Sequence, residues 1–114
     1  MDYQTAHNLL ITQGLDADQA TDTLLARLRE GVPPVPGQVT SILLALKVVF
    51  EALKDSTQLD RDLAAALHLL TVNSRQQFEA GHQAGLEWPP LLNEDLERIA
   101  IAVQSIFLGE WIDY

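Results

Sequence analysis

The segment that decides the fold is QVTSILLALKVVFEALKD, residues 38–55. Its apolar residues recur at intervals of three and four, which is the period of one face of an α-helix. That stripe consists of Val39, Ile42, Leu43, Leu46, Val49, Phe50 and Leu53, and a second apolar face adds Leu44, Val48 and Ala52. A helix so apolar around its circumference lies either at the centre of a bundle or partly under another chain.

Helical patterns also flank this segment on both sides. They predict a short helix before Gly14, a second helix capped by Asp16 or Asp18, a long helix over 58–80 and a last helix capped by Asn93. We expect these helices to end at glycines, which adopt the left-handed conformation easily. The predicted end positions are Gly14, Gly31, Gly81 and Gly109. No stretch alternates apolar and polar residues over the length of a strand. The sequence therefore predicts an all-α fold, a compact bundle of four to five helices, with residues 1–114 as a single domain.

Composition excludes several classes of site. The chain has no cysteine, which removes disulfides, thiol nucleophiles and thiolate metal sites. Sixteen acidic and seven basic residues give a net charge of −9, which repels nucleic acid and anionic lipid. Charged residues interrupt the longest apolar stretch, and residues 1–15 lack a signal-peptide pattern. We expect a cytoplasmic protein that binds neither nucleic acid nor membrane.

The polar residues form no recognisable catalytic pattern. Neither lysine of the chain, Lys47 or Lys54, follows a glycine, so no phosphate-binding loop is present. Glu79 and His82 have the spacing of a di-iron ligand pair, but that site needs two such pairs and two further glutamates. The predictions are therefore no catalytic residue, no cofactor and no metal, and a protein that is not an enzyme.

Three features are not obviously required by a folded core. Residues 33–36 have the PxxP spacing of groove-binding ligands, but a rigid brace between helices explains them better. Trp88, Pro89 and Pro90 form an apolar corner whose tryptophan is either a staple for the last helix or a contact. The tail contains Trp111 and Tyr114, and it either folds back as a lid or meets another protein. We predict a contact patch formed by Trp88, Pro89, Pro90, Trp111 and Tyr114.

Three strings of the sequence are similar to a known family. They are residues 33–49 (PPVPGQVTSILLALKVV), residues 59–63 (LDRDL) and residues 88–92 (WPPLL). With these strings the chain resembles a family of short cyanobacterial proteins, some of which carry the label dethiobiotin synthetase. True dethiobiotin synthetase is an ATP-using P-loop enzyme with an α/β fold. This chain shows neither the loop nor strands, so no residue role is carried over. The resemblance implies a cyanobacterial, cytoplasmic setting.

Two hypotheses about function follow from these patterns. The first is a non-enzymatic protein that binds another protein, or a second copy of itself, as an assembly or regulatory factor. The alternative is a bundle that binds a small ligand in an apolar cavity beside the helix of residues 39–53. A cavity of roughly 300 Å³ or more would favour the alternative.

Overall fold

The structure is a computed structural model that describes residues 1–16 and 22–112. In that part of the chain it contains helices and their connections but no strand. The elements are α1 (Tyr3–Leu10), which continues into a π-helical turn (Ile11–Leu15), α2 (Leu24–Arg29), α3 (Gln38–Leu53), α4 (Arg61–Gln83) and α5 (Leu92–Leu108). The predicted all-α bundle is confirmed.

Short polar side chains begin three of the helices. The carboxylate of Asp2 accepts from the Thr5 N–H at 2.7 Å, and that of Asp60 accepts from the Leu63 N–H at 2.9 Å. The hydroxyl of Thr23 accepts from a backbone N–H one turn into α2 at 3.2 Å. These bonds satisfy donors that a helix leaves unpaired in its first turn.

Two predicted caps are wrong. Thr23 caps α2, where we expected Asp16 or Asp18; Asp18 lies outside the described residues. α5 begins at Leu92, one residue before the predicted cap Asn93. The amide oxygen of Asn93 instead accepts from the Arg75 guanidinium at 2.6 Å, and this bond joins α5 to α4.

Gly14 does not end a helix in the left-handed conformation, contrary to prediction. It lies buried inside the π-helical turn, where its backbone meets the backbone of Ala66 on α4. A Cβ at this position would overlap the Ala66 carbonyl. The glycine is therefore required for close approach of two backbones.

The contacts at the helix ends define the direction of each helix. α1 and α4 run parallel, since His7 lies beside Asp60 and Gly14 beside Ala66. α4 and α5 form an antiparallel hairpin, held by Arg75 and Asn93. α3 packs against α1 and α5. Gly109 at the end of α5 lies beside the Lys54 carbonyl at the end of α3, so these two helices run parallel.

The core lies between the helices and contains apolar side chains from all five. Its members are Ala6, Leu10, Leu24, Leu28, Ile42, Ala45, Leu46, Val49, Phe50, Leu63, Leu67, Leu70, Leu92, Leu96, Ile99, Ala102, Val103 and Ile106. From its first apolar stripe α3 contributes Ile42, Leu46, Val49 and Phe50 to this core, and the other three residues of the stripe are partly buried against it. Leu44 on its second face remains 51% exposed. No helix in the described ranges is long and apolar enough to cross a membrane.

Candidate partner-binding surface

Trp88 is fastened to α4. Its ring stacks on Phe78 with centroids 6.0 Å apart, and it fills the space that Gly81 leaves open. The indole N–H donates to the Phe78 carbonyl at 2.9 Å. Trp88 is half-buried and holds the corner before α5 in place, as the staple alternative describes. Gly81 therefore provides space for this ring, and α4 continues past the predicted end to Gln83.

Trp111 folds back onto α3. Its ring meets Phe50 edge to face at 5.1 Å, and the Lys47 ammonium lies 3.8 Å from its ring centre. The next residue, Ile112, donates its N–H to the Ser105 hydroxyl at 3.0 Å. The tail is thus a lid on the bundle as far as Ile112. Tyr114, the last residue of the predicted patch, lies outside the described residues.

The proline connector is braced by side chains of α2 and α3. The Arg27 guanidinium donates to the Pro33 carbonyl at 2.7 Å, and the Val35 N–H donates to the Gln38 side chain at 3.0 Å. The Gln38 amide also donates to the Asp22 carbonyl at 2.6 Å. The connector is therefore held on both sides, as expected of a rigid brace.

The tertiary fold brings the proline connector against the second proline corner. Together they form a groove of about 240 Å³ at the beginnings of α3 and α5, which we call the proline groove. Leu91 on its wall is 61% exposed. Pro89 also lines the groove, whereas Pro90 is exposed outside it. The lining residues are Pro33, Pro34, Val35, Gly37, Val39, Thr40, Pro89, Leu91, Leu92 and Asp95.

A second apolar groove lies further along the same two helices. It has a volume of about 310 Å³, and Trp111 forms one wall, so we call it the tryptophan groove. The lining residues are Leu43, Lys47, Arg98, Ile101, Ala102, Trp111 and Ile112. Arg98 on its rim is 56% exposed, so the groove opens to the surface.

The two grooves lie in line along the same pair of helices. Residues at i, i+3 and i+7 of a helix lie on one side of it, and both grooves draw on such a stripe from each helix. The stripes are Thr40, Leu43 and Lys47 on α3, and Asp95, Arg98 and Ala102 on α5. Because α3 and α5 are parallel, the two stripes face each other along their length. We call this surface the α3–α5 furrow.

The rim of the furrow is charged. Arg98 pairs with Asp95 at 3.1 Å, at the boundary between the two grooves. Lys47 pairs with Glu51 at 3.3 Å, and Lys54 pairs with the same carboxylate at 3.1 Å. Hydrogen bonds from Lys54 and Lys47 lower the pKa of Glu51 below its usual value. Two of the seven basic residues of an acidic chain thus flank the tryptophan groove.

Polar groups elsewhere connect helices to one another. The His7 ring nitrogen lies 3.2 Å from the Asp60 carboxylate, so the cap of α4 is also bound to α1. Glu79 and His82 are both exposed at the end of α4. No three His, Cys, Asp or Glu side chains come together as metal ligands within the described residues.

A further groove of about 340 Å³ lies between the π-helical turn, α2 and α4, and Arg29, Asn73 and Gln77 are among the residues that line it.

Of the predicted patch, the structure places Pro89 and Trp111 in the furrow and Trp88 in a contact with α4. The sequence patterns predicted no binding role for Leu43, Arg98 or Ile101: Leu43 belongs to the apolar stripe of its helix, and the other two look like ordinary helix residues. No protein-family model, curated protein or solved structure matches the chain. The resemblance to short cyanobacterial proteins thus stays a prediction.

Proposed function

We propose that this chain is a non-enzymatic binding protein that takes a segment of a partner protein into the α3–α5 furrow. The observation that carries the proposal is the convergence of apolar features in that furrow. The proline connector, the Pro89 corner and the Trp111 tail are far apart in the sequence, yet all line it. Exposed apolar grooves of this kind are typical of sites of protein–protein association.

The walls of the furrow are held rigidly. Prolines have a restricted φ, and the connector is further held by the hydrogen bonds from Arg27 and to Gln38. Trp111 is positioned by its contacts with Phe50 and Lys47. A preorganised surface loses little conformational entropy when a partner binds, which favours affinity.

The non-enzymatic part of the proposal is supported by the uses of the polar side chains. The buried hydroxyls of Ser74 and Ser105 donate to backbone carbonyls of their own helices. Asp2, Thr23 and Asp60 cap helices. Each of these groups has a structural role that accounts for its position.

The test compares two exposed apolar residues: Leu91, which directly precedes α5, and Phe107, which lies near the end of α5. Leu91→Asn removes an anchor inside the furrow, whereas Phe107→Asn changes a residue that is 50% exposed and lines neither groove. We expect affinity capture from a lysate of the source organism to retain a partner on the wild type and on Phe107→Asn. The same partner should be lost on Leu91→Asn. Circular dichroism and thermal unfolding confirm that both variants are folded.

Two results would contradict the proposal in different ways. A partner retained equally by all three proteins would mean that the binding surface lies elsewhere. Absence of any retained protein at low and moderate salt would argue against a binding protein altogether. Trp88 is not used in this test, because its replacement would disturb the packing on Gly81.

A second candidate function is binding of a small apolar ligand. The tryptophan groove supports it, because its volume of about 310 Å³ reaches the size of ligand pockets and it lies beside α3. Its indole wall provides the test. A small-molecule screen should then find compounds that change the tryptophan fluorescence of the wild type and raise its melting temperature. Compounds that act equally on Trp111→Phe would not be bound in this groove.

A further inference from the structure

The two grooves of the α3–α5 furrow are two helical turns apart. From Thr40 to Lys47, and from Asp95 to Ala102, each helix advances seven residues. Seven residues of α-helix span about 10.5 Å along the axis. Any segment that fills both grooves must therefore present two apolar side chains at about this spacing.

A helix meets this requirement and a β-strand does not. Side chains at i and i+7 of an α-helix project from the same face, two turns apart. A β-strand covers the same distance in about three residues, and its side chains three residues apart point to opposite sides. A polyproline II segment places side chains three residues apart on one face, but at about 9.3 Å, so the helix matches the spacing of the two grooves more closely.

The charged residues of the furrow specify the rest of the segment. The ion pair of Asp95 and Arg98 lies between the two grooves, so it faces the middle of the docked segment and favours a polar residue there. Lys47, 43% exposed, and Arg98 flank the tryptophan groove. Exposed ion pairs such as theirs contribute little to stability, so both cations can bind a partner's carboxylate.

On the basis of the proposed function, we propose that the occupant of the furrow is an amphipathic α-helix of a partner protein. It has apolar anchors at i and i+7, a polar residue midway, and Asp or Glu beside the anchor that enters the tryptophan groove. This is the helix-in-groove mode of recognition, in which anchors on one face give affinity and flanking charges give specificity.

The test uses two displayed peptide libraries selected on the full chain. In the first, randomised positions lie all round an alanine- and glutamine-rich helical framework. In the second, proline at every third position prevents helix formation. We expect binders from the helical library only, with enriched apolar residues seven positions apart and an acidic residue next to the second one.

Charge reversal then tests the contact with the rim. A synthetic peptide of the selected sequence should bind Leu91→Asn and Arg98→Glu at least about tenfold more weakly, the loss typical of one anchor or charge pair at an interface. The same peptide with lysine in place of its acid should bind Arg98→Glu more tightly than the wild type does. Phe107→Asn should leave both affinities unchanged.

The outcomes separate this inference from the proposed function. Binders with proline or with another apolar spacing that are lost on Leu91→Asn would overturn the helical occupant and leave the furrow as a binding surface. A wild-type dimer that Leu91→Asn dissociates in analytical ultracentrifugation would instead make the occupant a second copy. Binders unaffected by both furrow variants, or no binders from either library, would contradict the furrow itself.

Discussion

Gly109, the residue after α5, lies against the carbonyl oxygen of Lys54, the residue after α3. A Cβ built on Gly109 would be 3.1 Å from that oxygen, and the glycine has a φ of 72°. The C-terminal ends of the two helices therefore lie side by side. α3 and α5 thus run parallel, and the furrow lies between them.

The first prediction concerns this junction. Gly109→Ala should lower the free energy of unfolding by about 1–2 kcal/mol, because alanine is strained at positive φ and its methyl group presses on the Lys54 carbonyl. Gly37→Ala is the matched control, since Gly37 has a φ of 81° and nothing within 4 Å of its Cβ position. Urea unfolding should show the larger loss for Gly109→Ala. Equal losses would mean that the contact with Lys54 has no energetic effect.

The second prediction concerns the π-helical turn. Gly14→Ala should destabilise the fold by about 2–3 kcal/mol, as is typical of overpacking, because the methyl group meets the backbone of Ala66, which has no rotamer to change. Thermal unfolding of this variant and the wild type gives the difference. A stability within about 0.5 kcal/mol of the wild type, the range of ordinary surface changes, would show that the two backbones are not in close contact.

The third prediction couples Gly81 to Trp88. Gly81→Ala should be strongly destabilising in the wild type, because the new methyl group occupies the space of the indole ring. It should be nearly neutral when Trp88→Ala has already removed that ring. A double-mutant cycle measures this coupling, which we expect to be about 1–3 kcal/mol for residues in direct contact. Additive effects of the two changes would contradict the staple.

The fourth prediction concerns pH and Asp60. Burial acts to raise the pKa of this carboxyl, but hydrogen bonds from the Leu63 N–H and the His7 ring outweigh it, and the pKa lies below its ordinary value. A carboxyl whose pKa is lower in the folded state stabilises the fold above its unfolded pKa of about 3.9. That contribution is lost as the pH falls through the folded pKa.

Asp60→Asn keeps an oxygen that can accept from the Leu63 N–H but removes the negative charge at the start of α4, so it should lower stability at neutral pH by about 0.3–1 kcal/mol. Between about pH 5 and 2 its stability should fall less steeply than that of the wild type. Urea unfolding across this range measures both quantities. His7→Gln keeps the cap but removes the ring, so its stability and its pH dependence should lie between those of the wild type and those of Asp60→Asn. Parallel pH profiles for wild type and Asp60→Asn would contradict the role of this carboxylate.

Local sequence patterns predicted the helices better than their ends. The period of apolar residues in 38–55 identified α3, and the prolines of residues 33–36 identified a rigid connector. The predicted ends at Gly14 and Gly81 were wrong because the sequence alone does not distinguish a glycine that permits close packing from one that ends a helix. Only the residue in contact with each glycine, Ala66 for Gly14 and Trp88 for Gly81, distinguishes the two uses.

By itself the sequence determined that the chain is helical, because the spacing of apolar residues and the positions of prolines are local properties. It also determined the net charge and the absence of thiol chemistry. Only the tertiary structure decided that α3 and α5 are parallel, because that direction depends on how the connection of residues 54–60 and the α4–α5 hairpin return the chain to α3. The furrow exists only in this arrangement, since it joins Val35 to Leu91 and Lys47 to Trp111 across large separations in the chain.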